Sequence, residues 1–466
     1  MTQRAAACPY PLVLSNPYSI GLFNMKHLLF SALLASASVA AMSQPIANSQ
    51  QYVPAPENLQ ARQRFSDNRF GIFLHWGIYS MFAQGEWYMQ NANIDNREYA
   101  KSADAFYPHR FDASKWVAAI KAAGAKYICF TTRHHDGFSM FDTKLSDYNI
   151  MNTPYGKDIV KQLVDECHKQ GVNIHLYYSH IDWTRDDYPT GRTGLHTGKD
   201  KAKENWKSYY NFMNGQLTEL LTNYGKIDGI WFDGWWDHDQ DKTPFNWELP
   251  QQYALIHRLQ PACIIGNNHH QTPFDGEDMQ MFERDVPGEN KAGLSGQSIG
   301  QLPLETCQTM NGMWGYKIAD QDYKSANELL RLLIRTSAKG ANLLLNIGPQ
   351  ANGELPATAL SRLHEMGLWL NGPAGESIYG TVAGPIAQGD SVVSTQSRKD
   401  GTLYLHLMPQ QPFTSLTVPF KGKIKHVTSL TTNKRIEYKY NKKQGTLTFT
   451  IPDMQPNQPA YVLKIN

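Results

Sequence analysis

The sequence has almost no net charge: 44 basic against 42 acidic side chains in 466 residues leave +2. A nucleic-acid binder normally shows a basic excess, and a disordered chain combines high net charge with low hydrophobicity, so with 41 % apolar residues neither class is favoured. Cysteine is scarce as well. Five residues (Cys8, Cys129, Cys167, Cys263, Cys307) with no CxxC pair are too few for a disulfide scaffold. Cys129, Cys263 and Cys307 lie in apolar strand-like runs where a buried thiol is expected. The apolar run from Leu28 to about Ala41 falls short of the roughly 18 residues that span a bilayer. It follows Lys26 and His27 and leads into small residues, the pattern of a secretory signal with cleavage near Ala41 to Gln44. Residues 1–50 therefore read as a leader whose true start is Met25, and the mature chain is expected in the periplasm or the medium, free of the membrane.

Aromatic residues are abundant: 11 Trp, 24 Tyr and 19 Phe, which suits a surface that stacks against sugar rings, although many such rings belong in a core. From about residue 70 to 370 strand-length apolar runs alternate with helical patterns, the signature of βα units around a parallel sheet. Eight strands are predicted: 71–76, 126–132, 173–179, 227–234, 263–268, 279–284, 304–310 and 342–349. Helices are predicted over 112–123, 157–170, 204–224, 249–259, 323–338 and 356–370. This is an α/β fold, a (β/α)8 barrel over residues 51–375, irregular between the fifth and sixth strands because His269 to Asp278 is too short and too rich in Pro and Gly for a helix. Residues 376–466 change to short alternating runs such as TLYLHLM and TLTFTI and read as a β-sandwich that either binds glycan or only braces the barrel, bracing being the safer expectation.

In a parallel barrel the site lies at the C-terminal ends of the strands. Those ends carry His75-Trp76, Arg133-His134-His135-Asp136, Tyr177-Tyr178-Ser179-His180, Trp231-Phe232-Asp233, Asn267-Asn268-His269-His270, Glu283-Arg284-Asp285 and Glu305. Two carboxylates on different strands are what glycoside hydrolysis requires. Asp233 is the sharper candidate, delivered by an apolar run and followed by Gly234; Glu283 follows Met281-Phe282 in the same manner, with Glu289 and Glu305 as competitors for the second role. Adjacent histidines on a strand point to opposite faces and no HxH or HExxH spacing occurs, so no metal or other cofactor is expected. The acidic stretch Asp237-His-Asp239-Gln-Asp241 has Lys242 where a calcium loop needs Gly, and reads as a solvated turn.

The motifs that these ends belong to are Phe70-Gly-Ile-Phe-Leu-His75-Trp76-Gly, Gly85-Glu86-Trp87-Tyr88, Thr131-Thr-Arg-His134-His135-Asp136-Gly-Phe138-Ser, Tyr177-Tyr178-Ser179, Trp231-Phe232-Asp233-Gly234, Trp314-Gly315-Tyr316 and Asn342-Leu-Leu-Leu-Asn-Ile-Gly-Pro349. In this order the sequence resembles the secreted bacterial α-L-fucosidases of glycoside hydrolase family 29. The resemblance implies a retaining exo-hydrolase that removes terminal α-L-fucose from glycans through a covalent fucosyl-enzyme intermediate, with Asp233 as nucleophile. It implies pocket roles for His75, Glu86, Trp87, His134, His135, Tyr177, Trp231 and Trp314. The acid/base is carried to Glu283, whose spacing behind Asp278 resembles the family's pattern. The family's Trp-Glu-x-Cys stands here as Leu304-Glu305-Thr306-Cys307, and its Asn-Asp-Arg as Asn267-Asn268-His269. A non-hydrolytic glycan-binding protein on the same barrel is the alternative. For a retaining enzyme the two carboxyls are expected about 5–5.5 Å apart, with Asp233 ionised and the acid's pKa raised.

Overall fold

A computed structural model describes residues 51–466; the signal-like segment lies outside the described residues. Eight parallel strands form one sheet: β1 (Phe70–Leu74), β2 (Tyr127–Arg133), β3 (Asn173–Ser179), β4 (Gly229–Asp233), β5 (Ile264–Asn268), β6 (Gln280–Glu283), β7 (Leu304–Thr309) and β8 (Ala341–Ile347). Their order, β5-β4-β3-β2-β1-β8-β7-β6, is that of a barrel whose ladder is interrupted between β5 and β6. All eight strands predicted from the sequence are present, and the irregular step falls in the segment predicted to lack a helix. Helices Ala113–Ala122, Ile159–Gln170, Trp206–Asn223, Leu249–Leu259, Ala326–Ala338 and Ala357–Leu370 follow the apolar periodicity and pack outside the sheet.

Strand alternation builds the interior in layers. His175 sits opposite Gly229, Tyr177 opposite Trp231, and Ser179 opposite Asp233. Every second residue thus climbs the barrel, and the last one stands at the mouth. Phe73, Cys129, Tyr177, Trp231, Met281 and Leu344 fill the middle. A Cβ on Gly71 would stand 2.4 Å from the Tyr127 ring, so the large ring is accommodated by its neighbour's lack of a side chain.

The helix Pro56–Asn68, which the sequence analysis did not assign, closes the bottom. It buries only Asn58, Ala61 and Phe65, too thin an apolar stripe to show as amphipathic periodicity. Phe65 packs on the rings of Tyr127 and His175, and its carbonyl accepts from the Asn342 amide at 2.6 Å. Arg62 of the same helix pairs with Asp278 at 2.5 Å. Asp278 also accepts from Ile265 N–H (2.7 Å), the Tyr52 hydroxyl (3.1 Å) and His257 (2.9 Å), so one fully buried carboxylate ties the open β5/β6 step to the bottom helix.

After a short turn at Pro373–Ser377 the chain forms a five-stranded antiparallel sheet, made of Thr381–Gln388, Val392–Ser397, Leu403–Leu407, Val427–Ser429 and Tyr461–Ile465. A three-stranded sheet of Ser415–Pro419, Tyr438–Asn441 and Thr446–Thr450 faces it. Leu403, Leu405, Leu407, Leu463, Leu447 and Phe449 form the core between them. The opposite face, through Val393 and Val462, joins the barrel's outer core. The buried Arg69 donates to the carbonyls of Gly340 and Thr381, and the half-buried Arg331 to those of Gln458 and Pro459 at 3.1 Å, so guanidinium groups rivet the two parts.

Replacing Asp278 by Ala strands the Arg62 charge and an Ile265 N–H. It is expected to destabilise the fold by about 3–5 kcal/mol. A urea midpoint within about 1 kcal/mol of wild type would show that the step holds without it.

Candidate active site

The mouth of the barrel gathers the strand-end residues. Asp233 ends β4, and the left-handed Gly234 (φ 102°) turns the chain sharply behind it, where a Cβ would stand 2.6 Å from Ile181. Four donors surround the Asp233 carboxylate. The Tyr177 hydroxyl donates to Oδ2 at 3.0 Å; the Trp236 indole N–H (3.0 Å), the Gly234 N–H (2.9 Å) and, more distantly, the Asn268 amide (3.4 Å) donate to Oδ1. Glu283 ends β6. Its Oε2 accepts from the same Asn268 amide at 2.9 Å and faces His270 Nε2 at 3.0 Å, while Oε1 lies 4.0 Å from Arg284 Nε. One side-chain amide thus bridges two carboxylates from strands on either side of the open step.

Their charges are unequal in the empty site. Desolvation and the nearby Glu283 charge push Asp233 up to about 6, against neutral donors only partly able to offset them. Glu283 is desolvated too, but His270, Asn268 and Arg284 hold its carboxyl below the ordinary value. This reverses the order expected from the sequence. The reason is tertiary: His270 meets Glu283 directly, and the Arg284 guanidinium stands on the same side.

The histidines are held neutral. Asn346 Oδ1 accepts from His75 Nδ1 at 2.6 Å, because the Asn346 amide nitrogen donates to the Trp314 carbonyl at 2.7 Å. The Ser179 hydroxyl donates to the Ile181 carbonyl at 2.9 Å and so accepts from His135 Nδ1 at 2.7 Å. Both rings therefore carry the proton on Nδ1 and present Nε2 as an acceptor. That of His135 lies 3.6 Å from Asp233 Oδ2. Burial lowers His75 and His135 to about 3 and drives His134 down as well. His134 stacks on Tyr177 at 5.4 Å and touches the His135 ring at 4.2 Å. The two adjacent histidines do share the site, contrary to the alternation argument, because β2 ends at Arg133 and both belong to the turn beyond it.

Glu86 is buried, with its pKa raised mainly by desolvation, and accepts from Gly315 N–H at 2.7 Å. Trp87 stacks on Trp236 at 5.7 Å, and Trp314 lies 5.2 Å from His75. Trp231 sits one layer deeper, its indole N–H committed to Glu305 Oε1 at 2.8 Å, so it offers the site a ring beneath Tyr177 and no donor. Glu305 also accepts from the Tyr127 hydroxyl at 2.6 Å, well inside the barrel, and desolvation raises it to about 7. Glu289 pairs with Arg335 and Lys291. Neither competitor stands beside Asp233. Asp237 is no solvated turn: it is buried and accepts from the Tyr188 hydroxyl (2.7 Å) and Thr193 (2.9 and 2.8 Å), fixing the loop at the rim.

Sequence reasoning did not name Trp236, Asn268, His270 and Arg284 as site residues. Asn268 could have been found by register, since it pairs directly with Asp233. Arg284, just beyond β6, stacks over Trp314 at 5.0 Å, while His269 turns away to Glu277.

A family model described as Alpha-L-fucosidase matches residues 39–374. The structure is similar to that of α-L-fucosidase isoenzyme 1 from Paenibacillus thiaminolyticus, with 33 % identity, a TM-score of 0.78, and 88 % of this chain and 99 % of that one covered. It is also similar to a family 29 α-L-fucosidase from Bacteroides thetaiotaomicron solved as a trapped covalent intermediate with 2-fluoro-fucosyl fluoride. That likeness has 25 % identity and a TM-score of 0.75, covering 90 % of this chain and 98 % of that one. The α-L-fucosidase of Dictyostelium discoideum is 29 % identical over 364 residues, 72 % of this chain and 75 % of that one.

The interior carboxyl separates packing from chemistry. Glu305→Gln keeps an acceptor for Trp231 and is expected within about 1 kcal/mol of wild type in urea unfolding, whereas Glu305→Ala leaves two buried donors unpaired and loses about 2–5 kcal/mol. Equal stability of the two variants would mean that the Tyr127 and Trp231 donors find other partners.

Proposed function

The chain belongs to the α-L-fucosidase family, a family of glycoside hydrolases, and on that premise we propose that it is a retaining exo-enzyme acting on terminal α-L-fucose of glycans. The observation that carries this reading is the Asn268 bridge. Bonds of 3.4 Å and 2.9 Å from one nitrogen mean that the bridged Asp233 and Glu283 oxygens cannot be farther apart than the sum of the two. That bound on one oxygen of each carboxyl keeps the pair close and accords with the roughly 5–5.5 Å of a retaining pair. The trapped covalent intermediate of the Bacteroides thetaiotaomicron relative supports the same choice.

In the first step the pair's one proton moves from Asp233 to Glu283, Asp233 Oδ2 attacks C1 of the fucosyl unit, the glycosidic C–O bond breaks, and Glu283 gives that proton to the departing oxygen. In the second, Glu283 takes a proton from water, the water oxygen bonds to C1, and the Asp233 ester is released as fucose and carboxylate. Tyr177 and Trp236 donate to Asp233 and orient it for attack. His270 and Asn268 occupy Oε2 of Glu283, which leaves Oε1 to carry the exchanged proton. His75 and His135 accept from sugar hydroxyls through Nε2, Glu86 accepts beside them, His134 lines the wall, and the Trp87, Trp314 and Trp231 rings form apolar surface for the C6 methyl. The N-terminal signal pattern supports export to the periplasm or medium, and the likeness to bacterial structures supports a bacterial source.

Two outcomes are expected. Asp233→Asn should lower kcat on 4-nitrophenyl α-L-fucoside by about a thousandfold or more, and NMR of the first-formed fucose should show retained configuration; inverted product would sink the covalent mechanism. Catalysis needs one proton on the Asp233–Glu283 pair, and the pair gives up its last proton near the raised value of about 6. kcat/KM should therefore fall as pH rises through about 6. A profile flat to pH 8 would mean that the free enzyme keeps that proton by another route.

A further inference from the structure

The C-terminal module carries a charge that the rest of the chain does not. Residues 376–466 hold eleven Lys and Arg against five Asp and Glu, a surplus of six in a chain whose total is +2, so the preceding residues are net negative. Three of those five acids are already paired: Glu376 with Lys464, Asp390 with Arg335 and Asp453 with Lys434. Asp400 is turned to the Thr402 N–H at 3.1 Å. Lys421, Lys423, Lys425, Lys439, Lys442 and Lys443 are all exposed, and among the described residues none has a carboxylate in salt-bridge reach.

These charges converge on one feature. Lys421, Lys423 and Lys425 line a groove of about 710 Å³ that opens where the ends of the two sheets meet, with Phe420, the polar Gln396 and Asn466, and one carboxylate, Asp400, among its walls. Phe420 N–H donates to the Gly445 carbonyl at 2.8 Å, and its ring meets Tyr440 edge-on at 5.8 Å. This folds the turn bearing Lys442 and Lys443 against Lys421, whose Cε lies 3.9 Å from where a Cβ on Gly445 would stand. A concave wall with an aromatic ring, amides, three unpaired ammonium groups and a single carboxylate already engaged by the Thr402 N–H has the chemistry of a polyanion site.

We propose that this groove docks a sulfated glycan and holds polymeric substrate beside the barrel. Ammonium groups suit the point-like charge of sulfate esters; carboxylates are held best by the arginine fork, and no arginine lines the groove. That the anion is a glycan rests on the proposed hydrolytic function. Tethering raises the effective concentration of polymer at the mouth without touching the chemistry.

The test measures binding of a sulfated galactan, its desulfated form, a polyuronate of similar charge density, duplex DNA and anionic phospholipid vesicles by calorimetry. Wild type is compared with the triple variant Lys421→Ala, Lys423→Ala, Lys425→Ala. Wild type should bind the sulfated galactan alone among these, more weakly by tenfold or more between about 50 and 200 mM salt. The variant should lose at least about tenfold in affinity while its kcat/KM on 4-nitrophenyl α-L-fucoside stays at the wild-type value, which also certifies its fold. The proposal is overturned by unchanged binding in the variant, by absence of binding in wild type, or by equal binding of the polyuronate, DNA or vesicles. Sulfated galactan bound by a wild type inert on the aryl fucoside would refute the hydrolytic reading and leave the docking site standing.

Discussion

Two carboxylates are forced together in a mouth that buries most of each, and much of the surrounding structure manages their repulsion. Asp233 on β4 is laddered to β5, and Glu283 stands on β6 across the one interrupted step, so no ladder hydrogen bonds fix their spacing. Asn268 does so instead, giving one amide to both. The remaining donors divide unevenly: Tyr177, Trp236 and Gly234 face Asp233, while His270 and Arg284 stand beside Glu283. In the empty site this asymmetry places the negative charge on Glu283 and the shared proton on Asp233, so the proton passes to Glu283 before Asp233 attacks.

Holding that mouth rigid is the task of the layers below. Trp231 hands its N–H to Glu305 and stacks under Tyr177, which donates to Asp233, so a chain of contacts runs from the barrel interior to the reacting oxygen. His75 is oriented by Asn346, which is itself held by the Trp314 carbonyl. Buried polar side chains placed this way act as second supports, and their cost is met because each has a partner. At the opposite end Asp278 closes the open step against the bottom helix.

The C-terminal module meets the barrel through its inward sheet face and through the guanidinium groups of Arg69 and Arg331. Its two faces therefore differ in kind. One is apolar and committed to the barrel, and the ends of its sheets carry the chain's basic surplus toward solvent.

The architecture was legible in the sequence because alternating apolar runs and helical periods are local signals, and eight of the former with helices between them admit few packings. Asp233, Glu283 and the aromatic and imidazole groups could be named for the same reason: they end strands, and strand ends meet at one rim. What the chain order could not reveal is which side chains meet across that rim. Glu305 ends up inside the barrel because its strand register sets it opposite Met281, one layer below Glu283. His134 and His135 face the same site because the strand stops one residue earlier. The bottom helix escaped notice because only three of its residues are buried. The order of the two carboxyl pKa values was decided by His270 and Arg284, both in left-handed backbone (φ 62° and 64°) that turns each from its strand, and no local pattern in the sequence encodes that turn. Periodicity fixes which residues can reach the mouth; the charge each one finds there depends on neighbours that only folding brings together.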